Sequence, residues 1–255
     1  KFLYEIGNDL DSIILITRSL QLIFYALLGI VIFLFAKDLY GINAGIFAVF
    51  LYTLEPNFLG HSILATSDVP IAFFMTLSIY TFYRFVKDQN TKNLTVTGIV
   101  TGLAYLTKFS AVYLLPIMLV FGLITIKLND IKWKKFTTSF IAIILITLLV
   151  INIGYVFQGS FQPGLEKGKT YQSLESYFKD KPGWYAGIVE FALFDVPMPV
   201  PHYYALGFAN IVLNDLSGHS SFLLGEYSRY GWWYYFPVAF MLKAPIPLML
   251  LLFVT

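Results

Sequence analysis

Residues 12–36 read SIILITRSLQLIFYALLGIVIFLFA, and Arg18 is the sole charged side chain among them. A helix that crosses the hydrocarbon core of a membrane needs about 20 consecutive, mostly apolar residues. This stretch is long enough and apolar enough to predict a membrane-spanning helix. Similar stretches recur along the chain, so the prediction extends to the whole molecule.

Six further apolar segments follow the first one, and together they predict an all-α, polytopic transmembrane bundle of about seven spans. They are Ile42–Leu54, Pro70–Tyr83, Leu94–Leu106, Phe109–Ile126, Phe136–Phe157 and Phe236–Val254. Residues 1–157 would then hold six spans. Residues 158–235 would form a long extracytoplasmic loop with short interfacial helices, and residues 236–255 a truncated seventh span.

The composition supports a membrane protein and excludes several other classes. Of the 255 residues, 58% are hydrophobic and 13% are charged, and the mean hydropathy is +0.71. Soluble domains are about a quarter charged and disordered chains are poor in hydrophobic residues, so neither class fits. A net charge of +2 supplies no basic face for nucleic acid. The absence of cysteine excludes disulfides and thiolate metal sites.

Lysine and arginine in the short loops predict how the bundle is oriented, because cytoplasmic loops are enriched in these residues. They occur in three alternate loops: at Lys37, at Arg84, Lys87 and Lys92, and at Lys127, Lys132, Lys134 and Lys135. We therefore place these loops in the cytoplasm. The loop Glu55–Val69, the turn at Lys108 and the segment Gln158–Tyr235 then lie outside it.

Three basic residues lie toward the outer ends of the predicted spans. Arg18 is in the first span, Lys108 ends the fourth, and Lys243 is in the seventh. A cation at membrane depth needs an anion, and the one at hand there is a lipid phosphate, so we predict that these residues bind the phosphate of a lipid. As alternatives, Lys243 could snorkel to the interface, Lys108 could anchor a helix end, and Arg18 could form a structural ion pair with Asp9 or Asp11.

Asp68, Glu55 and His61 belong to the short outer loop, which is half apolar and is expected to dip toward the membrane. Oxygen and nitrogen ligands of this kind could hold a divalent metal ion. The alternatives are an N-cap role for Asp68 before Pro70, a plain loop carboxylate for Glu55, and an ordinary interfacial histidine for His61.

The long outer segment predicts short interfacial elements. Gly183–Phe194 is apolar enough for a helix on the membrane surface, and His202–Leu216 could form a second one. Asp195–Pro201 must be extended, because three prolines in five positions forbid a helix.

A dense group of tyrosines and tryptophans follows, beside two charged side chains. We predict that Glu226, Tyr227, Arg229 and Trp232 bind substrate, since aromatic faces and a carboxylate suit a sugar ring or an acceptor chain. The alternative is an aromatic belt at the seventh span.

Four motifs in this order resemble polyprenyl-phosphate-dependent glycosyltransferases of the GT-C type, which are related to protein O-mannosyltransferases and lipid A aminoarabinose transferases. The motifs are Ala65-Thr-Ser-Asp-Val-Pro70, Gly102-Leu-Ala-Tyr-Leu-Thr-Lys-Phe-Ser110, Leu224-Gly-Glu226 and Gly231-Trp-Trp-Tyr-Tyr-Phe-Pro-Val-Ala-Phe-Met-Leu-Lys-Ala-Pro-Ile-Pro247. The likeness spans essentially the whole chain. The last of these motifs resembles the subgroup of phospholipid carrier-dependent glycosyltransferases of prokaryotes.

The resemblance implies that a sugar on a polyprenyl monophosphate is transferred, with inversion, outside the plasma membrane of a prokaryote. The acceptor would be a protein or a lipid glycan. Asp68 and Lys108 match active-site positions of such enzymes, so Asp68 is the expected catalytic residue, and Arg18 matches the arginine after the first loop. The general base is expected upstream of Lys1, because the chain reads as an internal piece of a longer protein.

Two other classes compete with an enzyme. A transporter or lipid flippase would place polar groups near the bilayer midplane and carry inverted repeats. The fifth and sixth predicted spans hold no charge, and the polar groups cluster at one face. A non-catalytic membrane subunit is the second rival, since the expected base is not in the chain.

Overall fold

The structure, a computed structural model, describes residues 9–129, 133–161, 197–218 and 220–254. The helices are α1 Leu10–Tyr40, α2 Ile42–Thr53, α3 Pro56–Ser62, α4 Asp68–Lys87, α5 Thr91–Thr107, a 3-10 helix Phe109–Tyr113, α6 Leu114–Asn129, α7 Trp133–Gly154, α8 His202–Ser217, α9 Tyr235–Lys243 and α10 Ile246–Val254. Two strands, β1 Ser221–Leu223 and β2 Glu226–Ser228, lie between α8 and α9. The chain forms two compact units, Lys1–Thr147 with Lys243–Thr255, and Leu148–Leu242.

The prediction of an all-α polytopic membrane protein is confirmed. Each of the seven predicted apolar segments is helical, but in the described part of the chain four helices are long and apolar enough to cross a membrane. The count becomes five if α2 and α3, which meet at 64°, form one broken span. The other two segments are too short to count as membrane spans. α5 has 17 residues, and the last segment is divided into α9 and α10, which have nine residues each. Pro245 and Pro247 at that break remove backbone donors.

The first unit begins with α1, whose ends are set by local chemistry. The Asp9 carboxylate accepts hydrogen bonds from Asp11 N at 3.2 Å and Ser12 Oγ at 2.5 Å, which caps the helix. These bonds, first the one from Ser12 and then the one from Asp11, lower the pKa of the exposed Asp9 carboxyl. Gly41, at a φ of 91° that favours glycine, separates α1 from α2.

Two apolar clusters hold the first unit together. One joins α1, α2 and α4 around Leu28, Tyr52 and Phe73. The other joins α4, α5, α6 and α7 around the fully buried Phe82 and Met118. α4 contributes to both clusters, with Phe73 in the first and Phe82 in the second.

The second unit contains α8 and a small hairpin. The predicted helix His202–Leu216 is confirmed, and it extends one residue further, to Ser217. β1 and β2 pair in antiparallel fashion, with Phe222 opposite Tyr227, through the two-residue turn Leu224-Gly225. Both turn residues have positive φ, as tight hairpins require.

The hairpin was not predicted, although a glycine between two short aromatic segments is a signal for it. The predicted surface helix Gly183–Phe194 lies outside the described residues, as do Asp195 and Val196 of the predicted extended segment. Residues 197–201 are described, and they are not helical.

Candidate functional site

The connection between α2 and α4 folds into the short helix α3, where a loop was expected. Glu55 is the N-cap of this helix, since its Oε2 accepts a hydrogen bond from Phe58 N at 2.8 Å. Pro56 follows at the first helical position, which favours proline because its missing N–H would have no partner. The pair Glu55-Pro56 was therefore the sequence signal for this helix.

Asp68 lies in the first turn of α4, one residue after the N-cap Ser67. The alternative prediction that Asp68 is itself the N-cap is therefore wrong. Its Oδ1 instead accepts a hydrogen bond from Lys108 Nζ at 2.7 Å. A carboxylate in a first turn is also favoured by the helix dipole.

Lys108 reaches Asp68 because α4 and α5 are consecutive packed helices joined by a short connection. The first residue of α4 and the residue after α5 consequently lie at the same end of the pair. Lys108 has an extended backbone, with φ −160° and ψ 143°, between α5 and the 3-10 helix. Its side chain has a specific partner, which a plain helix-end anchor would not need.

His61 approaches the other oxygen of the same carboxylate. Its Nδ1 lies 3.7 Å from Asp68 Oδ2, which is an ion pair when the imidazole is protonated and is longer than a hydrogen bond. The side chains of His61, Asp68 and Lys108 are 49%, 44% and 44% exposed. Ion pairs this exposed add about 0–1 kcal/mol to stability, so the arrangement is open to a ligand rather than a major source of stability.

A cleft of about 100 Å³ adjoins the carboxylate. It is lined by Asn57, Phe58, His61, Asp68 and Val69. Two of these, His61 and Asp68, were predicted from the sequence. Asn57 and Phe58 were not, because their positions depend on α3, which was not predicted.

Lys243 comes close to this cleft through its backbone. Asn57 Nδ2 donates a hydrogen bond of 3.2 Å to the Lys243 carbonyl oxygen at the end of α9. The Lys243 side chain is exposed and forms no ion pair with any residue that the structure describes. Both snorkelling and ligand binding stay open for it.

Arg18 is exposed on α1, and its position relative to the cleft follows from its neighbour Gln21. The buried Gln21 donates through Nε2 to the carbonyl of Thr66, two residues before Asp68. Arg18 precedes Gln21 by three residues, about 4.5 Å along the helix axis. Within the described ranges Arg18 pairs with no carboxylate, so the alternative of an ion pair with Asp9 or Asp11 is wrong.

Residues 1–154, more than half of the chain, match the family model described as dolichyl-phosphate-mannose-protein mannosyltransferase. The chain belongs to this family. It is therefore a membrane glycosyltransferase of the GT-C type. No curated protein and no solved structure matches the chain.

The region of this glycosyltransferase that matches the family model contains the Asp68–Lys108 pair, the cleft and Arg18. Lys243 and the aromatic hairpin lie beyond the match. Because this family is one of enzymes, the match favours an enzyme over the transporter and subunit interpretations.

The predicted metal ligands of the glycosyltransferase do not assemble into a site. In the described ranges no three histidine, cysteine, aspartate or glutamate side chains come together around a common point. Glu55 uses one oxygen to cap α3 and the other to accept from Asn57 Nδ2 at 2.6 Å. The Lys108 ammonium occupies one oxygen of Asp68. As placed, Asp68, Glu55 and His61 do not fit the donor set of a divalent ion.

The other predicted substrate-binding residues belong to the second unit. Glu226 and Tyr227 lie on β2, and both are exposed. The Tyr227 ring lies 5.0 Å from that of Phe222, directly across the hairpin. Arg229 follows the strand and is exposed, whereas Trp232 is half-buried. These four residues therefore stay candidates on an accessible surface of that unit.

Proposed function

We propose that the protein transfers a sugar from a polyprenyl monophosphate to an acceptor at the outer face of the membrane, with inversion at the anomeric carbon. The observation that carries the proposal is the 2.7 Å contact between Lys108 Nζ and Asp68 Oδ1 beside an open cleft, within the region that matches the family. An oriented cation next to a cleft is what a phosphate leaving group requires.

Transfer of the sugar requires cations that stabilise the phosphate leaving group. When the bond between the anomeric carbon and the phosphate oxygen breaks, its electron pair stays on the phosphate, whose negative charge grows. A preorganised cation stabilises that charge more in the transition state than in the ground state. We assign this role to Lys108, with Arg18 and Lys243 as further donors to the phosphate.

Asp68 is proposed to act through Lys108. A lysine side chain has four rotatable carbon–carbon bonds and is mobile when unpaired, whereas a carboxylate at 2.7 Å fixes its ammonium. Because the pair is half exposed, the phosphate can approach the ammonium without displacing Asp68. On this proposal Asp68 orients the cation rather than attacking the substrate.

The distribution of lysine and arginine supports the outer face as the place of reaction. Lys37, Lys87 and Lys92 lie at the ends of α1, α4 and α5 that are opposite to Asp68 and Lys108. The positive-inside rule then places Asp68 and Lys108 outside the cytoplasm. We infer the plasma membrane of a prokaryote, and a protein hydroxyl or a lipid glycan as acceptor.

The test is a transfer assay with the full-length protein in lipid vesicles, polyprenyl-phosphate mannose as donor and an acceptor mixture from the membrane. Lys108→Met should reduce the rate about 100-fold, the effect of removing one preorganised donor to a developing oxyanion. Lys87→Met, at the other end of the helix pair, is the matched control and should keep the parent rate. An unchanged rate in Lys108→Met would overturn the proposal.

A further inference from the structure

The first three turns of α1 are exposed or only half-buried. No side chain from Leu10 to Leu20 is buried, and Gln21, which is 6% exposed, is the first buried residue of the helix. The next one is Leu28, seven residues and about 10 Å further along the helix axis. Arg18 therefore lies on a stretch of α1 whose position depends on what holds Gln21.

Gln21 is held by a polar contact with the connection that leads into α4. Its Nε2 donates a hydrogen bond to the Thr66 carbonyl, and Thr66 precedes Asp68 by two residues. A carbonyl can only accept, so this bond fixes which side of the amide faces Thr66. Within the described residues, Gln21 Oε1 is buried and has no hydrogen-bond partner. A buried polar atom in this state is costly, so an apolar side chain would suit the packing better at this position.

Two other polar side chains in this part of α1 bond within the helix. Thr17 Oγ1 donates to the Ile13 carbonyl at 2.7 Å, and Ser19 Oγ donates to the Leu15 carbonyl at 2.8 Å. Such bonds do not attach α1 to its neighbours. Gln21, in contrast, joins α1 to a different part of the chain.

The Gln21 bond constrains α1 more strictly than the nearby apolar contacts do. The Phe24 ring lies 5.7 Å from the Phe73 ring on α4, and an apolar contact of this kind is not directional. A hydrogen bond, in contrast, weakens steeply when its angle changes. Arg18 precedes Gln21 by three residues, so the two side chains lie about 60° apart around the helix. A Gln21 that is fixed toward Thr66 therefore also fixes the direction in which Arg18 projects from α1.

We propose that Gln21 is a positioning residue for donor binding. By binding the Thr66 carbonyl, Gln21 holds the Arg18 guanidinium on the side of α1 that contacts the α3–α4 connection. The same connection leads into Asp68, which binds Lys108, so two cations are presented to one phosphate. Gln21 acts through Arg18 and contacts no reacting atom itself. This inference rests on the proposed function, which assigns Arg18 to the phosphate.

A second polar bond between α1 and α4 supplies the matched control. Tyr80 OH donates to Asp38 Oδ2 at 2.8 Å, near the other end of α1. Asp38 lies 20 residues from Arg18, about 30 Å along the helix axis. Tyr80→Phe therefore removes a bond between the same two helices without disturbing the surroundings of Arg18.

The first test measures binding of a polyprenyl phosphate without sugar to the full-length protein in lipid nanodiscs. Arg18→Met should weaken binding about tenfold, the loss of one hydrogen bond to a charged group. Gln21→Leu, which places an apolar side chain at the buried position, should weaken it about three- to tenfold, whereas Tyr80→Phe should leave it unchanged. An affinity of Gln21→Leu equal to that of the parent overturns the proposal.

Double variants distinguish positioning of Arg18 from general damage to the fold. Gln21→Leu should cost nothing further in the Arg18→Met background, because the group that it positions is gone. In the Lys108→Met background it should cost as much as in the parent, because Lys108 is held by Asp68. An equal further loss in both backgrounds overturns the proposal. If neither Arg18→Met nor Lys108→Met weakens binding, the assignment of these cations to the phosphate fails, and this proposal fails with it.

A distance measurement needs no ligand and tests the positioning directly. Spin labels at Ile16→Cys on α1 and Leu103→Cys on α5, two exposed positions in a chain without cysteine, report how firmly the first turns of α1 are held. The distance distribution should be narrow in the parent and in Tyr80→Phe, and broader in Gln21→Leu. Equal widths in all three proteins would show that Gln21 does not hold this part of α1, which overturns the proposal.

Discussion

Lys108 Nζ donates a 2.7 Å hydrogen bond to Asp68 Oδ1, although the two residues are 40 positions apart in the chain. The contact exists because α4 begins at Asp68 and α5 ends one residue before Lys108. Two consecutive packed helices bring such positions to one end. The formation of this pair therefore depends on the lengths of α4 and α5 as well as on the opposite charges of the two side chains. The pair places the Lys108 ammonium beside the cleft.

Asp68→Asn should lower the rate of sugar transfer by about 10- to 100-fold. The amide keeps the size of the side chain but removes the negative charge that orients Lys108, so a preorganised donor becomes a mobile one. The measurement is the initial rate at saturating polyprenyl-phosphate mannose with the full-length protein. Asp88→Asn, at the opposite end of α4, is the control. A rate equal to that of the parent would refute the role assigned to Asp68.

The combination of Asp68→Asn with Lys108→Met should be no slower than Lys108→Met alone. If Asp68 acts by orienting Lys108, its removal costs nothing once the ammonium is gone, so the two effects are not additive. The measurement is the transfer rate of both single variants and of the double variant. Strictly multiplicative losses would instead indicate that Asp68 contacts the substrate independently of Lys108.

The helices could largely be predicted from the sequence, because apolar length is a local property. The seven apolar segments are all helical, and the break at Pro245 follows from proline chemistry. Within the described residues, four or five spans are long and apolar enough to cross a membrane, where seven were predicted. The reasons are that α5 has 17 residues, about three fewer than the usual 20, and that the last segment is broken.

The site could be predicted only in part. Asp68 and Lys108 were placed together at one face from charge alone, and the structure shows their contact. The alternative that Arg18 forms an ion pair with Asp9 or Asp11 was wrong, because it was based only on their proximity in the sequence. In the structure the Asp9 carboxylate caps α1. Asn57, which lines the cleft, could not be found, because its position depends on α3 and on a hydrogen bond to the Lys243 carbonyl, 186 residues away in the chain.

Gly45→Ala should destabilise the protein by about 1–3 kcal/mol, the usual effect of overpacking a closely packed contact. A Cβ at this position would lie 2.9 Å from the Phe33 carbonyl oxygen, and a backbone atom of a packed helix cannot move away cheaply. The measurement is thermal unfolding of the protein in detergent. Gly60→Ala is the matched control, since a Cβ there meets nothing within 4 Å. Equal melting temperatures for the two variants would contradict the close packing of α2 on α1.

Cysteine labelling should place the cleft and the basic loops on opposite sides of the membrane. The chain has no cysteine, so single replacements can be made in the natural sequence. Gly60→Cys on α3 and Lys92→Cys at the start of α5 are both exposed positions. In intact cells a membrane-impermeant maleimide should label the first and spare the second, because the positive-inside rule puts Lys92 in the cytoplasm. A permeant maleimide should label both, which shows that each thiol is reactive. The reverse pattern would place Asp68 and Lys108 in the cytoplasm, and a lipid-linked sugar presented at the outer face could not then reach them.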